Sequence, residues 1–75
     1  MNKQRRKEIE KAIELIEQAR EILEAVQEEE QEAFDNMPES LQSAERGEQM
    51  EEYISTIEEF IEYLDTDNLQ EIVDA

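Results

Sequence analysis

The chain has 75 residues, with 23 acids against seven cations and a net charge of −16, so it forms one small domain in the size range where a single core leaves little net stability. It contains no Cys, His or Trp and a single Gly, which excludes disulfides, thiolate or histidine zinc sites, Ser-His and Cys-His nucleophilic centres, and glycine-rich phosphate loops. With 37% hydrophobic residues, composition alone borders on the disordered class, but the apolar residues recur at helical spacing and the chain is read as folded.

The chain begins with a basic stretch, Lys3-Gln4-Arg5-Arg6-Lys7, followed by Glu8. No apolar leader core or membrane-spanning run appears, and the expectation is a cytoplasmic protein. From Ile9 the apolar residues run Ile9, Ala12, Ile13, Ile16, Ala19, Leu23, Val26 and Ala33, a stripe widened by Leu15 and Ile22. Neither Gly nor Pro interrupts it, so the spacing predicts one helix over about 3–34, roughly 45 Å long at 1.5 Å per residue.

Pro38 disfavours the helical conformation at Met37, and Asn36 with Glu39 three residues later has the form of a capping box. A connection over about 35–47 is expected, in which Gly47 either ends a short helical piece or sits inside a longer helix. Met50, Tyr53, Ile54, Ile57, Phe60, Ile61 and Leu64 then form a second stripe on a helix of about 48–65. Tyr53 and Phe60 are read as core and Tyr63 as lying off the stripe. Leu69, Ile72 and Val73 fall out of phase, and Asp67 with Gln70 suggests a second capping box opening a short helix over about 67–74. The predicted fold is all-α: an antiparallel helical hairpin whose short third helix folds over one end. A homodimer closing into a four-helix bundle is favoured over a monomeric three-helix arrangement.

Charge is distributed unevenly along these elements. Residues 1–20 hold six cations (Lys3, Arg5, Arg6, Lys7, Lys11, Arg20) against four acids, a sum of +2, while residues 21–75 hold 19 acids against Arg46, a sum of −18. The first helix therefore opposes its own macrodipole and carries repulsive pairs such as Glu17/Glu21 and Glu24/Glu28. Two compatible readings follow. Either the basic start pairs with the acidic 62–74 segment across the hairpin, or the acidic surface meets a basic partner.

Other chemistry is poorly supported. Asp65-Thr66-Asp67-Asn68 opens like a calcium loop, but Leu69 and Gln70 stand where a ligand and the obligatory Gly belong. Glu45-x-x-Glu48 and Glu62-x-x-Asp65 match magnesium-binding steps of all-α pyrophosphatases, yet such pairs arise by chance among so many acids, and no enzyme is expected. No cofactor or metal is expected either. The negative surface repels nucleic acid, so direct nucleic-acid binding is not expected. A symmetric assembly gathering Arg5, Arg6 and Arg46 around an anionic nucleotide remains an alternative.

The basic start, the Glu run ending the first helix, Phe34-Asp35-Asn36-Met37-Pro38-Glu39-Ser40-Leu41-Gln42-Ser43 and Glu45-Arg46-Gly47-Glu48 together resemble a group of short, acidic helical proteins from phages, prophages and other mobile elements of Gram-positive bacteria. The resemblance extends over nearly the whole chain. It implies a setting in which small acidic proteins often inhibit host nucleic-acid-binding defence enzymes.

The functional expectation is a non-enzymatic interaction protein whose acids mimic the charge of nucleic acid and block a basic groove on a host protein. Its expected contact residues are Glu28, Glu29, Glu30, Glu32, Asp35, Glu51, Glu52, Glu58, Glu59 and Glu62. The alternatives are a structural helical-bundle module acting through its apolar stripe, and an oligomeric sponge for a signalling nucleotide.

Overall fold

The computed structural model describes all 75 residues and has four helices joined by short turns. Helix α1 spans Lys3–Asp35, α2 Glu39–Gln42, α3 Glu45–Glu62 and α4 Asp67–Asp74. The all-α hairpin and the limits of α1 and α4 agree closely with the sequence reading. The Asn2 side chain caps α1, accepting from the Arg5 backbone N–H at 2.8 Å and so satisfying one of the orphan donors of the first turn.

The connection differs from expectation. α1 continues to Asp35 and takes Asn36 as its C-cap, in the right-handed helical region, so Asn36 lacks the extended backbone an N-cap requires. Pro38 opens α2 instead, and no side chain caps it. The second capping box is also not formed. Thr66 precedes α4, and the Asp67 backbone N–H is taken by the Asp65 carboxylate at 2.9 Å.

Gly47 lies inside α3, is buried, and has no positive φ. Its role is close approach: a Cβ there would overlap the Gln42 carbonyl and stand 2.6 Å from that of Leu41. The single glycine thus lets the end of α2 lie against the first turn of α3. Gln42 in turn donates from Nε2 to the Phe34 carbonyl at 2.9 Å, tying α2 to the end of α1. With this packing α3 starts at Glu45, three residues earlier than the sequence suggested.

The last helix does not fold over one end. It packs on α1, continuing the return path that α3 begins, so the molecule is a rod with a Cα trace of 58 × 14 × 13 Å. The break between α3 and α4 is held from across the seam. Arg20 Nη1 donates to the Leu64 carbonyl and Thr66 Oγ1 to Glu17 Oε1, each at 3.4 Å. A cation at the carbonyl end of α3 also suits its dipole.

The seam of the hairpin follows steps of three and four residues. α1 contributes Arg6, Ile9, Ile13, Ile16, Arg20, Leu23, Gln27, Glu30 and Phe34; the return leg contributes Gly47, Met50, Ile54, Ile57, Ile61, Leu64, Thr66, Leu69 and Val73, all buried or half-buried. Only Ile13 and Ile54 are buried hydrophobic residues. Two helices in contact cannot enclose more, because each has only its partner to cover it.

Candidate functional site

Positions beside the seam divide the rod into two faces. Antiparallel helices rotate in opposite senses when viewed from one end, so equal angular offsets from the seam fall on the same side of the pair. On one side lie Glu10, Glu14, Glu17, Glu21, Glu24, Glu28 and Asp35 of α1 with Glu48, Glu51, Glu58 and Glu62 of α3, all exposed. On the other lie Ala12, Leu15, Ala19, Ile22, Val26 and Ala33 of α1 with Gln49, Tyr53, Thr56, Phe60 and Tyr63 of the return leg, also exposed.

The ten acids expected to form the partner surface do not form one patch. Glu28, Asp35, Glu51, Glu58 and Glu62 share the acidic face, and Glu32, Glu52 and Glu59 point away from the seam along the two outer edges. Glu30 is half-buried in the seam and Glu29 falls on the apolar face. A consecutive Glu run on a helix spreads over about 100° per residue, so Glu28-Glu29-Glu30 cannot act together. Sequence reasoning missed Glu14, Glu17, Glu21 and Glu24. Their three-and-four spacing, parallel to the apolar stripe, was the signal that places them on one side.

The expected internal pairing of the basic start with the acidic 62–74 segment is absent. The structure has one ion pair, Arg20 to Glu24 at 3.8 Å. α4 does lie along the first half of α1, but Leu69 and Val73 are its half-buried residues, and Arg6, the half-buried cation of that stretch, has its Nε buried without a hydrogen-bond partner. The acids of α4 occupy its outer positions, away from that contact.

The expected anion-binding residues, which the sequence reading gathers from several chains, lie apart within one chain. Arg5 and Arg6 open α1 while Arg46 opens α3, which runs antiparallel from the far end, so the 58 Å rod holds them at opposite ends. No three carboxylates come together as a metal-binding group, and no helix is long and apolar enough to cross a membrane.

No protein-family model, curated protein sequence or solved structure matches the chain. The geometry therefore carries the functional argument alone. Three of the four aromatics, expected in the core or at its rim, stand in the open: Tyr53 is 52% exposed, Phe60 54% and Tyr63 82%. They lie one position off the seam, where a third helix would have covered them. A cleft of about 260 Å³ lined by Ala33, Met37, Leu41, Arg46 and Met50 ends the same face beside the connection.

Proposed function

We propose that the protein is a non-enzymatic interaction module whose acidic face occupies a basic groove on a nucleic-acid-binding protein, in the manner of a mobile-element inhibitor of a host defence enzyme. The observation that carries this reading is the acidic face itself: two parallel rows of exposed carboxylates with a single ion pair in the whole chain to offset them. Between Glu14 and Asp35, and between Glu48 and Glu62 beside them, carboxylates recur at about one per 3 Å of rod. That density lies between the roughly 1.7 Å per charge of duplex DNA and the 3.4 Å of one strand. A groove built to collect phosphates would find comparable charge on a rigid support.

The reading is tested by displacement of a labelled duplex from a panel of basic nucleic-acid-binding proteins. The wild-type chain should displace it from at least one member, with an effect that weakens steeply as salt rises. Reversal of Glu21, Glu28, Glu58 and Glu62 to Lys should abolish displacement, whereas Glu29→Lys, on the other face, should leave it nearly intact. Displacement from no member at low salt, or displacement indifferent to salt, refutes the proposal.

A further inference from the structure

The apolar face needs a partner of its own, and we infer that it is a second copy of this chain, the two rods closing face to face into an antiparallel four-helix bundle with both acidic faces outward. The exposed row on α1 carries an unbroken apolar stretch: Ala12, Leu15, Ala19, Ile22 and Val26 follow one another at three-and-four spacing between Glu8 and Glu29, while over the same residues the buried row is crossed by Arg20. Such a row, left in water, has no local structural purpose.

The face has the area a stable dimer needs. Ala12 to Ala33 covers about 31 Å of α1, and two helices packed 8–10 Å apart present a width of about 19 Å. That gives roughly 600 Å² per copy and about 1,200 Å² for the pair, at the lower edge of the range of stable interfaces. Ile22 is 65% exposed, Leu15 56% and Phe60 54%, so large side chains make up much of it.

Shape and charge both select a second copy over a foreign chain. A two-fold axis parallel to the rod lays α1 of one copy over α3 of the other at the same height. The level is fixed by the Arg20–Leu64 and Thr66–Glu17 contacts. At that level Ala19 of one chain lies opposite Tyr63 of the other and Ile22 opposite Phe60, so apolar side chains meet apolar ones across the contact. A basic partner is drawn to the acidic side of the rod and an acidic one is repelled by the net charge of −16. Two copies meeting through their carboxylate-poor faces keep their acids at the greatest separation the bundle allows.

Sedimentation equilibrium on the full chain at high salt, which screens the acids, should give twice the 8.9 kDa chain mass. Ile22→Glu/Phe60→Glu should return it to the single-chain mass, and Glu24→Gln/Glu58→Gln, on the far face, should not. Since the apolar-face variant could also lose its fold, an Ala19→Cys chain mixed with a Tyr63→Cys chain supplies a second reading. Under oxidation the mixed disulfide should form in excess over either like pair. A single-chain mass at every concentration, a dimer that survives Ile22→Glu/Phe60→Glu, or like pairs in excess over the mixed one overturns the inference.

Discussion

Two rows of α1, one residue or about 100° apart, meet different fates. The row facing α3 and α4 is interrupted by Arg6, Arg20, Gln27 and Glu30, and it reaches full burial only at Ile13. The neighbouring row, from Ala12 to Val26, is wholly apolar and wholly exposed. The larger apolar residues Ile9, Ile13, Ile16, Leu23 and Phe34 go to the buried row, and the exposed row keeps its apolar stretch between Glu8 and Glu29. The isolated hairpin leaves that stretch uncovered. The polar residues in the buried row serve position: Arg20 reaches the end of α3 and fixes where the return leg breaks.

The two rows separate most clearly in the stability of variants at the seam. Ile13→Ala and Ile54→Ala should each cost about 2–4 kcal/mol, enough to remove most helicity from a domain this small, whereas Leu15→Ala, measured on dilute protein, should cost under about 1 kcal/mol. Circular dichroism during urea titration distinguishes them, and a Leu15→Ala cost equal to that of Ile13→Ala in dilute protein would show that the rows are not distinct. Gly47→Ala comes next. A methyl group gains about 1 kcal/mol in a helix interior, but here it meets the carbonyls of Leu41 and Gln42, so a net loss of about 2 kcal/mol is expected; thermal stability unchanged or raised would remove close approach as the reason for the glycine.

The smallest effect belongs to the acidic side. Neutralising Glu14, Glu21, Glu28 and Glu32 to Gln, which spares the Arg20–Glu24 pair and Glu17 of the clamp, removes like-charge neighbours four apart, each pair unfavourable by a few tenths of a kcal/mol. The quadruple variant should therefore be more stable by about 1 kcal/mol. Melting curves taken with and without added salt should converge, because screening weakens the same repulsion in the wild type. A gain that persists at high salt would assign the effect to helix propensity instead.

Much of the fold was legible in the sequence, because long uninterrupted periodic stretches declare helices and Pro38 declares a break. Gly47 was not, since its reason lies in backbone atoms of α2 that only the folded chain brings near. Asn36 and Asp67 carried capping-box spacing, but spacing does not say whether the preceding helix will extend through the cap. The two apolar rows merged into one wide stripe for a physical reason: periodicity reports which residues avoid water, while the position of the neighbouring helix decides which of them succeed. The same limit misplaced Tyr53 and Phe60 in the core and spread the expected contact acids over the acidic face, both outer edges, the seam and the opposite face.

The interruption between α3 and α4 also grades the rod by resistance to opening. α4 hangs on α1 beyond the clamp formed by Glu17, Arg20, Leu64 and Thr66, and it covers the stretch of α1 where Arg6 has an unsatisfied nitrogen. Amide protons there should exchange with solvent first, as a separate unit of low protection, while those around Leu23, Ile54 and Ile57 wait for global unfolding. Both chain ends belong to that unit. Fraying therefore begins where the cations are, and the carboxylate rows past the clamp keep their spacing while it happens.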